Sequence, residues 1–316
     1  MSLLQTENIN RGCLYGRVYC CQSAADSVEM TPDFIGIGAQ KCATTWVYSI
    51  LKAHPALALA MPEGGDKDTR FFSYYYDRGF AWYEDQFNKL GENTVKGEFS
   101  TSYFTSREAP QRIAEYAPDI KLLVCLRNPI ERAFSNHKHE VSLGRIKGEY
   151  RNFEKALQKN PMYLHQSLYH IHLSRWLEHF PSENILVILV DDIEQKADRV
   201  VESIYRFLGV DPSFEPKFRH QQVHQSRVVS SSFLETSVTL LSSLIKRLGL
   251  GSIIGILRNM GIKSAIDKAN SRTGSESFPP MEPATRDYLI EYFRDANDTL
   301  GKILERDLSF WNTYET

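Results

Sequence analysis

Lys41, Thr44 and Thr45 close the segment DFIGIGAQKCATTW, residues 33–46, in an order that suits an anion. The run Phe34-Ile35-Gly36-Ile37 ahead of them has the make-up of a buried strand. Val47, Ile50 and Leu51 behind them follow a helical period, so the lysine and threonines fall on a tight turn and a helix start. Such a start presents unpaired N–H groups and the positive end of a dipole. Lys41 adds a point charge, and the threonines add hydroxyl donors. The familiar nucleotide loop G-x-x-x-x-G-K-[ST] needs glycine before the lysine and Ser/Thr after it to hold magnesium. Gln40 and Cys42 occupy those places here, which weakens a magnesium-nucleotide reading. The plain alternative is a strand–turn–helix that happens to carry a lysine.

A second segment, KLLVCLRNPIERAFSNHKHE (121–140), breaks that tie. Leu122 to Leu126 is an apolar run of strand length, with Arg127 at its carboxyl end, where open α/β sheets collect ligands. Asn128-Pro129 ends the strand, and Ile130, Ala133, Phe134 and His137 resume a helical spacing. Ser135 follows Arg127 by eight residues. An arginine fork with a serine hydroxyl is suitable chemistry for a phosphate monoester.

Together the two segments resemble the sulfotransferases that use 3′-phosphoadenosine 5′-phosphosulfate (PAPS), most closely the Golgi or heparan-type branch and its bacterial relatives. The resemblance implies that QKCATT, from Lys41 and Cys42 through Ala43, Thr44 and Thr45, binds the 5′-phosphosulfate. Ala43 stands where the family usually has glycine, a poor exchange if the position needs positive φ. Arg127 and Ser135 are then the 3′-phosphate site. Trp46 matches a tryptophan that stacks on adenine, and its other reading is a core aromatic. By the same likeness Lys41 stabilises the bridging oxygen of the leaving group, with Thr44 and Thr45 donating to the 5′-phosphate. No metal is implied. The likeness runs from about residue 33 to the end, through a segment ending F-L-G (164–214) and a closing helix (283–311), and is faintest over 228–280.

Sulfuryl transfer is an in-line displacement that needs a base for the acceptor, positive charge on the sulfuryl oxygens, and positioning. Three residues are candidates for the base or the reacting centre. Asp68, in KDTRFF (67–72), holds the place of the glutamate in the family's K-E-x-x-F-F, one methylene shorter. His139 lies one helical turn after Ser135, on the same face, and matches a histidine of some amino-sugar sulfotransferases. Its neighbour His137 points elsewhere. Glu98, in KGEFSTSYF, matches an acid that lines the acceptor side in the family's G-E-x-S-x-x-Y stretch. The bland readings are a solvated charge cluster for Asp68, polar helix surface for His139 and a strand-edge salt bridge for Glu98. Arg227, in the polar stretch 220–232, is a further candidate for the 3′-phosphate. Residues 237–266 carry Lys246, Arg247, Arg258 and Lys263 among apolar residues and no acid. They read as a basic amphipathic helical insert that packs on the core, covers the acceptor site, meets an acidic carrier protein or rests on a membrane surface.

The elements that must position these groups are strands at 33–38, 121–126 and 185–190 and a helix at 44–53, with helices between and after. The expected fold class is α/β, a single domain with a central parallel sheet flanked by helices, in a phosphate-loop-like sulfotransferase fold. Residues 1–31 read as a poorly ordered or surface-packed arm and 32–316 as the sulfotransferase domain. Of five cysteines, Cys42 and Cys125 lie inside the motifs as small buried residues, and Cys13, Cys20 and Cys21 match no metal spacing. A net charge of −2 gives no reason to expect nucleic acid. With no apolar stretch of spanning length and no signal-like segment, the expectation is a cytoplasmic enzyme. Its acceptor is a sugar, a small metabolite or an acyl chain tethered to a carrier protein. Two rivals stand beside this reading. One is a magnesium-dependent nucleotide kinase that uses Asp191-Asp192, and the other is a non-catalytic PAPS- or glycan-binding module.

Overall fold

The computed structural model describes residues 31–62, 67–88, 90–91, 94–217, 219 and 278–314. Arg227, the stretch 237–266 and residues 1–30 of the arm lie outside the described residues. The described chain builds one sheet from β1 (Phe34–Gly38), β2 (Leu57–Leu59), β3 (Val95–Phe99), β4 (Lys121–Leu126) and β5 (Ile185–Leu189). Every pairing is parallel, and the order is β2-β3-β1-β4-β5. β1 is buried along its whole length, as a strand covered on both faces must be. Its contact with β3 is a reciprocal fit of ring against glycine. Phe34 pairs with Gly97 and Gly36 with Phe99. A Cβ on Gly36 would meet the Phe99 ring at 2.2 Å, and one on Gly97 would meet the Phe34 ring at 2.3 Å. Only glycine fits at either place.

Helices link and cover the strands: α1 (Thr44–Ala53), α2 (Phe71–Tyr74), α3 (Phe80–Asp85), α4 (Ala109–Tyr116), α5 (Pro129–Ser142), α6 (Phe153–Lys159), α7 (Met162–His165), α8 (Tyr169–Leu177), α9 (Val190–Leu208) and α10 (Pro283–Leu304). α10 packs on α5 and α8, and it buries Leu289 and Phe293 with Ile130, Ala133 and Phe153. The chain leaves β1 toward the β3 and β2 side, whereas it leaves β4 toward β5. The carboxyl ends of β1 and β4 are therefore the topological switch point, where such sheets bind ligands. Lys41 follows β1 and Arg127 follows β4, so the two motifs open onto the same crevice.

The expected strand at 185–190 is one residue shorter, because Val190 already begins α9. Asp191 and Asp192 stand in the first turn of that helix and complement its dipole.

Candidate active site

The loop from β1 to α1 is fastened from below. Ala39 donates its N–H to the Cys125 carbonyl on β4 at 2.9 Å. Cys42 is fully buried, with its Sγ 3.6 Å from the Tyr169 hydroxyl. Burial, the largest influence, pushes its thiol pKa up. The Cys42 side chain is thus an anchor, and only its backbone faces the loop. Lys41 (φ 70°) and Ala43 (φ 57°) are both left-handed, so the loop turns tightly into α1. No side chain caps α1, and its first turn holds no acid, so an anion meets no competitor there. Thr44 is buried, Thr45 is exposed, and the Lys67 ammonium donates to the Thr44 hydroxyl at 3.2 Å.

Ala43 does occupy the conformation that favours glycine. Ala43→Gly is therefore expected to stabilise the protein by about 1 kcal/mol. The readout is a later midpoint in urea unfolding. A midpoint that stays or falls would show that this backbone is not strained.

Across the switch point, Asn128 caps α5 by accepting the Ile130 N–H at 3.0 Å, and Pro129 occupies the first turn. That fixed start sends α5 back along the crevice with Ser135 (7% exposed) and half-buried His139 on one face. Lys41 has its pKa lowered by burial first and by the Arg127 charge second. His139 is lowered by burial and then by Lys41. Lys41 thus lies within electrostatic reach of Arg127, His139 and Lys138, with Glu140 the acid that partly offsets them. Among the described residues, no ion pair engages Lys41 or Arg127. Burial and neighbouring positive charge disfavour the charged forms of Lys41 and His139, and a polyanionic ligand would offset both effects.

On the far side of the loop, Asp68 accepts from the Thr101 backbone N–H at 3.1 Å and from the Thr101 hydroxyl at 2.8 Å. Its charge also raises the Tyr48 pKa, after burial, which places it against α1. Glu98 departs from expectation. It is 0% exposed and accepts from the hydroxyls of Tyr83 (2.8 Å), Tyr103 (2.9 Å), Ser100 (2.8 Å) and Thr69. With its lone pairs filled inside the fold, it braces the Thr69 loop. Trp46 is 6% exposed and donates its indole N–H to the Arg219 carbonyl at 3.2 Å, so it packs against that residue.

The two acids assigned to metal in the kinase alternative are otherwise engaged. Asp192 takes a bidentate pair from Arg306 at 2.6 and 2.9 Å, and Asp191 accepts the Trp311 indole N–H at 3.2 Å. Among the described residues, no group of three or more His, Cys, Asp or Glu is placed to hold a metal.

The family profile described as a sulfotransferase domain matches residues 31–243. The chain belongs to the sulfotransferase family. Two Homo sapiens proteins are similar to it over most of its length. Bifunctional heparan sulfate N-deacetylase/N-sulfotransferase 2 is 26% identical over 299 residues, covering 90% of this chain and 31% of that protein. Bifunctional heparan sulfate N-deacetylase/N-sulfotransferase 3 is 28% identical over 305 residues, with the same coverage of 90% and 31%. This sulfotransferase thus spans about a third of the length of those relatives. A crystal structure of a sulfotransferase from Alicyclobacillus acidocaldarius shares the fold, with TM-score 0.60 and 23% identity over 90% of this chain and 99% of that one.

Reading the sulfotransferase from sequence left one buried residue unnoticed. Arg132 is 1% exposed and donates to the Ser167 hydroxyl (2.5 Å), the Gln166 side chain (3.1 Å) and the Tyr163 carbonyl (2.6 Å). It ties α5 to the corner between α7 and α8 that carries Tyr169, and so supports the anchor of Cys42. Nothing in the local pattern ERAFSN distinguishes it from a surface arginine. His137 is likewise buried, against the Arg151 carbonyl at 2.9 Å, and stays out of the crevice as its helical position requires.

Proposed function

We propose that this sulfotransferase moves the sulfuryl group of PAPS onto a hydroxyl or amine, with a sugar as the leading acceptor class. The observation that carries the proposal is the meeting of two separate anion-binding groups at one switch point. The uncapped α1 start with Lys41 suits a 5′-phosphosulfate, and Arg127 with Ser135 suits a distinct 3′-phosphate. ADP and ATP lack that second group. The activity for which the human relatives are named, heparan sulfate N-sulfation, supports a glycan amine among the acceptors. Among the described residues, no helix is long and apolar enough to cross a membrane.

PAPS, when bound, supplies a sulfuryl group already activated for transfer. Lys41 then holds positive charge against the oxygen that leaves, and the α1 N–H groups and Thr44 hold the 5′-phosphate. Asp68, fixed by its two bonds from Thr101, receives the proton of the acceptor. Until a nucleotide binds, His139 is held as a neutral imidazole, because burial and Lys41 disfavour its charged form. The test is incubation with radiolabelled PAPS and a panel of N-desulfated heparan sulfate, neutral glycans, small phenols and an acyl carrier protein. Label on a glycan is the expected result. Label on the carrier or the phenols alone would move the acceptor class, and binding without transfer to any of them would favour the non-catalytic module.

The histidine also yields a pH dependence. Its pKa in the folded protein lies below the ordinary 6.5, so protonation costs stability as pH falls through that value and on to the lowered one. A bound bisphosphate brings negative charge into the same space and raises that pKa, so binding takes up a proton. Affinity for 3′-phosphoadenosine 5′-phosphate is therefore expected to rise up to about tenfold between pH 8 and 6.5. His139→Gln should flatten the rise. An equal slope in the variant would place His139 outside the reach of the ligand.

A further inference from the structure

Lys67 was read from sequence only as a charge beside Asp68, yet its ammonium lies inside the anion cradle. It reaches the Thr44 hydroxyl at 3.2 Å, in the first turn of α1. Two aromatic faces hold it there, Phe99 at 5.3 Å and Tyr48 at 5.9 Å from the ring centroids. Besides burial, the groups acting on Lys41 are Arg127, Cys42, Glu140 and Lys138, on its own loop and on the β4 and α5 side. Lys67 instead arrives from the β2 connection and stands over Phe99, the last residue of β3. Lys41 thus precedes, and Lys67 touches, the same helix start, with Asp68 next in sequence to Lys67.

Building on the sulfotransferase reading above, we propose that Lys67 is a second catalytic cation, which contacts the sulfuryl oxygens from the acceptor side while Lys41 serves the leaving oxygen. In the transfer, the acceptor O–H or N–H forms a bond to sulfur and its proton passes to Asp68. The bond from sulfur to the bridging oxygen breaks, and its electron pair stays on the 5′-phosphate. Negative charge spreads over the sulfuryl oxygens as both bonds become partial. A cation on the acceptor side answers that charge only during transfer, because the product bisphosphate has no sulfuryl group. A cation that merely held phosphate would serve both ligands alike.

The test needs no identified acceptor. Single-turnover release of labelled sulfate from radiolabelled PAPS, with water as the nucleophile, is measured beside calorimetric affinity for 3′-phosphoadenosine 5′-phosphate. For Lys67→Met the release rate is expected to fall about 10²-fold, with bisphosphate affinity within about threefold of wild type. Lys67→Arg, which keeps the charge, should recover most of the rate. A Lys67→Met rate within a few-fold of wild type overturns the proposal. So does a loss of bisphosphate affinity that matches the loss of rate, since that is the behaviour of a structural or phosphate-holding lysine. Wild-type protein that binds the bisphosphate but releases no label overturns it as well. Failure of wild-type protein to bind the bisphosphate would instead remove the donor assignment on which the proposal rests.

Discussion

Replacing Lys41 with methionine lowers kcat/KM by about 10²–10³-fold, the cost of removing one preorganised charge from a developing oxyanion, or ~3–4 kcal/mol. Methionine keeps the reach of the side chain and the same left-handed backbone demand as lysine, so the loop should hold its shape. The same change should leave stability equal or higher. Lys41 is half-buried, and its charged form is disfavoured by that burial and by Arg127, so the folded protein sheds a cost when the charge is removed. Higher stability with lost activity is the signature of a residue kept for chemistry. Activity within tenfold of wild type would take Lys41 out of the reaction, and a parallel collapse of stability would make it a structural residue.

Arg127→Ala is expected to weaken 3′-phosphoadenosine 5′-phosphate by about 10²-fold, near 2.7 kcal/mol, the order of two charge-assisted hydrogen bonds to one phosphate. Adenosine 5′-phosphosulfate, which lacks the 3′-phosphate, should change by no more than about threefold, because its contacts lie on the β1 side of the switch point. The comparison isolates the second anion site from the first. Equal losses for both nucleotides would mean that Arg127 acts on the whole crevice through its field. No loss for either would empty the 3′-phosphate assignment.

The cradle, its helix and the strand carrying Arg127 were legible in the sequence because each is a local pattern. Phe34 to Ile37, Val47-Ile50-Leu51 and Leu122 to Leu126 show their periods within a few residues, and Asn128-Pro129 marks the start of α5. The switch point also follows from order alone, since strands joined by helices form parallel sheets. What escaped depends on contacts distant along the chain. Of the hydroxyls around Glu98, those of Ser100 and Tyr103 lie in its own G-E-x-S-x-x-Y stretch, but Thr69 and Tyr83 come from 29 and 15 residues away and no spacing near Glu98 announces them. Arg132 is buried by partners at 163–167, beyond its own helix. Lys67 sits in a run of charges that reads as solvated until the β2 connection folds over α1. β2 itself is only Leu57–Leu59, too short for alternation to declare it, and it takes its identity from pairing with β3.

The central claim is that the crevice between β1 and β4 is built for a nucleotide carrying separate 5′ and 3′ anions. Calorimetric titration of the wild-type protein with 3′-phosphoadenosine 5′-phosphate, ADP and magnesium-ATP tests it most directly. The expected result is binding of the bisphosphate at least about 10²-fold tighter than either of the others. Preference for magnesium-ATP, or equal affinity for all three, would contradict the claim.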